Sequence, residues 1–310
     1  MIKIFKTIKE RIAEQDKITK GCWVNLESPN EEELKRLDHL TKNLDEFQGF
    51  LTSLKDPEEQ ARVETENGAL FLVVRVPYNI QKGEEQIHTT RPLGIIRLPD
   101  HLVTISFFEC GLLDRIVNQN IDTTRKVHTI LNIFLLAARK YLFELRNING
   151  KTFLLQQELE DSTRNEDLLK LLSIEKSLVY FNTSLRTNNY VINRLTMMHL
   201  FTKKEVNKEL LEDVLIEFKQ ALEMTDTYSN IIETMRAGFE SVISNNLNKV
   251  MKTLTSITLI LMLPTLVSSI YGMNVALPFQ SSPNAFVITM TFSILIAIIG
   301  VGIFWRKELF

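Results

Sequence analysis

Near the C-terminal end, Asn248, Met251, Thr255, Thr258, Met262, Thr265 and Ser269 recur every three or four positions. On a helix this spacing forms one stripe, while Leu254, Ile257, Leu261 and Leu266 point elsewhere. The stripe carries amides, hydroxyls and thioethers and no charge. Facing a shared axis, such groups would border a water-filled lumen. Alternatively, the Ser and Thr hydroxyls bond back to carbonyls of their own helix, which is common in apolar helices. The spacing alone fits both readings equally. From Val250 to Arg306 there is no Asp, Glu, His or Cys. Neutral oxygens suit a cation that keeps its water, as Mg2+ does, whereas Zn2+ would be expected to use His or Cys ligands.

Elsewhere, ligand chemistry is sparse. Cys22 and Cys110 lie far apart in no zinc or redox spacing and read as buried thiols. His39, His88, His101, His128 and His199 are scattered singly and read as surface or core residues. No glycine-rich phosphate loop, GxSxG or clustered His and carboxylate set is present, which argues against an enzyme. A net charge of -2 gives no basic excess and argues against nucleic acid as a partner.

The stripe lies in the first of two apolar stretches. Thr253 to Tyr271 and Ala285 to Trp305 carry no charge, and each has the length needed to cross a bilayer. A buried hairpin of a soluble protein would show a charged face, and the second stretch has none. Lys249 and Lys252 precede the first stretch, Arg306 and Lys307 follow the second, and the connecting segment 272–284 has no Lys or Arg. The positive-inside rule then puts both ends in the cytoplasm and the loop outside, with Tyr271 and Trp305 at the interfaces. Two spans cannot enclose a pore, so a conducting form must oligomerise.

Upstream, the N-terminus lacks the continuous apolar core of a signal peptide, so the bulk of the chain is expected in the cytoplasm. Strands are expected at Cys22 to Leu26, Ala69 to Val76, Leu93 to Leu98 and Leu102 to Phe108. Ser28-Pro29-Asn30-Glu31 reads as an N-cap, a proline at the first helical position and a capping-box Glu, opening a helix through Leu34, Leu37 and Leu40. Strands covered by helices imply an α/β domain. No proline occurs from Asp100 to Leu263. Helical spacing over Gly111 to Asn149 and Lys151 to Arg186 predicts a hairpin broken at Asn149-Gly150. From Val206 the apolar positions recur near 3.5 residues into the membrane, with Gly238 the only breaker. One helix to Tyr271 would measure roughly 100 Å, a stalk packed on copies of itself.

Tyr271-Gly272-Met273-Asn274, directly after the first span, resembles the signature of the CorA family of divalent-cation channels. The terminal hairpin, the long preceding helix, NKVMKTLT at Asn248 to Thr255 and the basic WRK tail belong to the same pattern. The resemblance implies a homopentameric funnel: an α/β cytoplasmic domain, stalk helices, an inner ring of first spans and an outer ring of second spans. It implies that Gly272, Met273 and Asn274 form the outer entrance and selectivity filter. Its pore-lining pattern falls on Thr265, Met262, Leu254, Met251 and Asn248, four of which belong to the stripe, with Met251 and Leu254 as the constriction. It further implies Mg2+ as transported ion and as regulator, closing the pore when bound between subunits. Asp213 matches one regulatory ligand and Glu212 beside it could contribute, although a solvated helix face explains both equally well.

The expected segments are 1–150 for the α/β domain, 151–205 for a helical part and 206–252 for the stalk. The spans are 253–271 and 285–305, with 272–284 the external loop and 306–310 a basic tail. The loop VALPFQSSPN lacks the acidic residues many family members carry, which leaves Zn2+, Co2+ or Ni2+ transport as the alternative. A membrane-anchored regulatory protein is the reading from another class.

Overall fold

The computed structural model describes all residues except 9–10, 43, 83–84, 119–120, 162–164, 199–206, 280 and 308–310. Expectations for His199 and for the stalk start at Val206 therefore lie outside the described residues. The chain divides into two compact units, Met1–Thr234 and Met235–Phe310. They are described separately.

The first unit is built on a seven-stranded sheet with strand order β2-β1-β3-β7-β6-β5-β4. The strands are β1 (Ile2–Ile8), β2 (Arg11–Gln15), β3 (Trp23–Glu27), β4 (Arg62–Glu66), β5 (Ala69–Lys82), β6 (Glu85–Arg97) and β7 (Leu102–Ser106). Among the described residues only β3 and β7 pair in parallel. Three short helices, α1 (Glu31–Lys35), α2 (Asp38–Thr41) and α3 (Phe47–Lys55), connect β3 to β4. Phe50, Leu51 and Leu54 of α3 pack with Phe71, Val73, Ile96 and Val103 of the sheet. Gly94 makes that approach possible: a Cβ there would collide with Leu54 Cδ1 and lie 3.0 Å from Phe50 Cε1. The alternate residues Leu72, Val74, Leu93 and Ile95 are also buried. Side chains alternate across a strand, so the sheet is covered on both faces. The second cover is α5 (Lys126–Asp161) and α6 (Asn165–Met197), preceded by α4 (Leu112–Asn118).

The expected α/β class holds, with four local corrections. The N-cap of α1 is Asn30 rather than Ser28, in a capping box closed by Glu33, and the helix ends at Lys35. Asn caps as well as Ser, and its partner at the third helical position is the Glu a capping box requires. The helix expected from Gly111 is two helices, α4 and α5. Helix α5 runs straight through Asn149-Gly150. An internal glycine costs only about 1 kcal/mol, less than burial of the flanking Leu145, Ile148 and Leu155 contributes. Finally, β6 begins at Glu85 and contains Pro92.

Pro92 is tolerated because of where it sits. It lies opposite Arg75, beyond the stretch of β6 that pairs with β7. Its missing N–H thus faces no strand partner. Arg75 lies likewise beyond Val73, where β4 pairing stops, so its backbone N–H and C=O face no strand. Asn188 of α6 takes the strand's place. The Arg75 N–H donates to Asn188 Oδ1 at 2.9 Å, and Asn188 Nδ2 donates to the Arg75 carbonyl at 2.7 Å. The Tyr141 hydroxyl donates to the same carbonyl at 3.0 Å. The buried Arg75 guanidinium is held by neutral oxygens of Thr90, Ser184 and Glu59. Burial pulls it below the ordinary arginine range.

Helix α7 (Lys208–Tyr271) is one uninterrupted element of 64 residues, passing Gly238 and Pro264. Within the first unit it buries Val214, Phe218, Ala221 and Thr225, with Phe218 against Phe134 of α5. In the second unit it is followed by α8 (Ala285–Arg306). Both helices are long and apolar enough to cross a membrane.

Replacing Asn188 by Ala strands a buried N–H of β5. Equilibrium denaturation in guanidinium should show a loss of about 1–3 kcal/mol, the usual cost of such a group. A change within about 0.5 kcal/mol would mean that α6 is not fastened to the strand through this amide.

Candidate functional site

The apolar half of α7 has two faces. Its less exposed positions are Thr253, Ser256, Ile260, Leu263, Pro264 and Val267, a stripe of three- and four-residue steps. Ile260 and Leu263 of this stripe meet α8 at Gly300, where an added Cβ would lie 3.3 Å from Leu263 Cδ1 and 3.8 Å from Ile260 Cγ1. Ser293, two turns earlier on α8, is buried as well. Small residues at the contact are what helices in lipid need, because without a hydrophobic drive they must rely on close packing.

Asn248, Met251, Thr255, Thr258, Met262, Thr265 and Ser269 are all exposed in the single chain, and so is Leu254. At about 100° per residue their stripe is centred roughly 160° from the one that packs on α8. Intrachain packing and the polar stripe thus occupy opposite sides of one helix. Thr258 donates its hydroxyl to the Leu254 carbonyl at 2.9 Å, and Thr265 to the Leu261 carbonyl at 3.0 Å. Hence the back-bonding anticipated from sequence does occur. It consumes the proton but leaves the hydroxyl oxygen as an acceptor. A hydrated cation presents outward-pointing water hydrogens, the complement of such oxygens.

At the end of α7 the Gly272 N–H donates to Ser268 and Ser269 carbonyls at 2.9 and 3.3 Å, and the Met273 N–H to Ile270 O at 3.2 Å. These bonds close the last turn and leave Met273 and Asn274 exposed just beyond it. Tyr271 Oη donates to the Pro278 carbonyl at 3.3 Å, tying the following segment back to the helix end. Asp213 and Glu212 are exposed on α7, beside buried Val214. Among the described residues of one chain, no three His, Cys, Asp or Glu side chains converge as a metal site.

Cys22, Cys110 and His88 occupy structural positions. Cys22 and Cys110 are buried free thiols. Burial pushes Cys110 up to about 11 and raises Cys22 as well, so neither is poised as a thiolate. His88 Nδ1 lies 3.2 Å from a buried Glu144 carboxylate oxygen. Burial opposes ionisation of that carboxylate, but hydrogen bonds from His88, Asn79 and Asn147 hold it below its ordinary range.

A family model described as CorA-like Mg2+ transporter protein matches residues 19–307. The chain belongs to this family. It is 29% identical over 295 residues to the cobalt/magnesium transport protein CorA of Methanocaldococcus jannaschii, covering 92% of this chain and 90% of that one. It is 25% identical over 264 residues to the magnesium transport protein CorA of Helicobacter pylori, covering 81% and 79%. The solved complete structure of the CorA magnesium transporter from Methanocaldococcus jannaschii superposes with a TM-score of 0.82 at 26% identity, covering 99% of this chain and 98% of that one. The CorA architecture of α/β domain, long helix and terminal apolar helix is therefore that of this chain.

Sequence reading missed the contact between α7 and α8. Its signal was present as Ser293 and Gly300, two small residues a heptad apart on α8. Gly300→Val should push the helices apart. We expect a lower thermal midpoint in detergent, on the order of 1–3 kcal/mol of overpacking cost. Gly302→Val, where an added Cβ meets nothing within 4 Å, should leave the midpoint unchanged.

Proposed function

We propose that this chain is one subunit of a channel that passes hydrated divalent cations, Mg2+ foremost, into the cell. The observation that carries the proposal is the uncharged polar stripe on α7, facing away from α8 and ending at Gly272–Asn274. In a pentamer of such chains the stripes line a shared aqueous axis. Asn248, Thr255, Thr258, Thr265 and Ser269 offer neutral oxygens, and Met251, Leu254 and Met262 form apolar constrictions that gate by dewetting. Gly272, Met273 and Asn274 form the outer entrance, where Asn274 side chains hold the ion through its water. The spans are 253–271 and 285–305, with 272–284 outside and both flanking basic ends in the cytoplasm.

Oligomerisation is supported by the apolar residues α7 leaves uncovered. Val242, Ile243, Leu247 and Val250 are 41 to 62% exposed in the single chain, a continuous apolar surface of the kind that marks an interface. Copies of the same helix would cover it. The driving force is the membrane potential, about 2.3 kcal/mol per charge per 100 mV and roughly twice that for a divalent ion. Asp213, with Glu212, is the regulatory pair: cytoplasmic Mg2+ bridging neighbouring subunits there favours the closed arrangement by mass action, and its loss frees them. Co2+ is the competing ion, since one relative carries both metals in its name.

Purified protein in liposomes should take up Mg2+ under an inside-negative potential, and Asn274→Ala should cut that flux about tenfold or more, equivalent to ~1.4 kcal/mol in ion binding. The protein mass in detergent should be five times 35.9 kDa for wild type and variant alike. A monomer in lipid, or full flux through the variant, would refute the pore. Faster flux of Co2+ or Zn2+ than of Mg2+ would reassign the ion.

A further inference from the structure

We propose that a cleft in the first unit, bounded by the end of α3, the middle of β5 and β6 and the segment after β7, binds a nucleoside monophosphate. The cleft has a volume of about 330 Å3, at the lower end of the ~300–1,000 Å3 typical of small-molecule sites. That accommodates a mononucleotide body rather than a dinucleotide.

Two cationic side chains line it, Lys55 and Arg91. Lys55 Nζ lies 5.6 Å from the centre of the Phe107 ring, and Arg91 Cζ lies 5.7 Å from that of Tyr78. Among the described residues neither has a carboxylate within ion-pair distance. Cation–π contacts at this range contribute only about 0.5–1 kcal/mol at exposed sites, so they park the two charges without neutralising them. An anion between them would gain charge-assisted hydrogen bonds, with the planar Arg91 fork matched to phosphate geometry.

The rings beneath these cations belong to an aromatic lining. Tyr78 and Phe108 meet edge to face with ring centres 5.2 Å apart, and Phe107 lines the same space. When the phosphate draws Lys55 and Arg91 off the rings, the ring faces are freed for a base, whose stacking contributes about 1–3 kcal/mol. Glu109, also in the lining, brings a carboxylate whose oxygens can accept from ribose hydroxyls. Ser28 completes the cleft with φ +44°, a left-handed conformation costly for a residue with a side chain. Its N–H is anchored to the Ser106 carbonyl at 2.7 Å, which fixes the backbone at this edge of the cleft.

The test is isothermal titration of the full-length protein in detergent with AMP, adenosine and inorganic phosphate. Saturable AMP binding is expected, with adenosine and phosphate each at least about tenfold weaker, because each keeps only one half of the recognition. Lys55→Gln and Arg91→Gln should each weaken AMP about tenfold, with an unchanged thermal midpoint. Absence of saturable AMP binding overturns the proposal, and so does phosphate binding as tightly as AMP. AMP affinity unchanged in both variants also overturns it. The comparison of the three probes on the wild-type protein stands without any variant.

Discussion

The apolar end of α7 must satisfy two neighbours, and it does so by dedicating one face to each. Lipid tails are as apolar as leucine, so two helices in a bilayer gain nothing from hiding greasy surface and must instead fit closely. Ile260 and Leu263 against Gly300 supply that fit. Once this side is committed, the opposite side with its amides, hydroxyls and thioethers is left exposed for other company. Hydroxyls bonded within their own helix lower the cost of carrying polarity in an apolar segment, and still leave oxygens able to accept from water.

The first unit obeys the same accounting of backbone groups. Strand β5 outruns β4, and β6 outruns β7, so that much of each strand has an edge that β4 or β7 does not reach. The protein answers them differently. Proline removes the donor at position 92, whereas at position 75 a buried side-chain amide from α6 pairs with both the donor and the acceptor. These answers let β5 and β6 extend far enough to carry Tyr78 and Arg91 past the core and to the rim.

Much of this was legible beforehand, for identifiable reasons. Ala285 to Trp305 and Thr253 to Tyr271 announce themselves by length and lack of charge, as helices long and apolar enough to cross a membrane. The continuity of α7 followed from unbroken periodicity through Gly238. Strands β1 and β2 were not legible because Lys and Arg interrupt their apolar residues and mask the alternation. Strand β4 was missed because RVETE offers a single buried residue, Val63. The extent of β6 was hidden by a local rule that forbids proline in a central strand, a rule that tertiary placement overrides. Helix α5 overrode Asn149-Gly150 in the same way. Of the candidate site, the polar stripe was readable from spacing, whereas the face packed on α8 was not, since it depends on a second helix whose own pattern is uniformly apolar.

The clasp between Asn188 and Arg75 also sets an order of events during synthesis. The two partners are 113 residues apart in sequence, and a ribosome adds about 5–20 residues per second. For roughly 6 to 23 seconds, then, the emerging sheet carries a bare edge that nothing within its own span can close. Nascent chains crowded on one messenger would meet edge to edge in that interval. The chain's need for a chaperone should therefore be greatest before α6 has left the exit tunnel, and should fall sharply once it has.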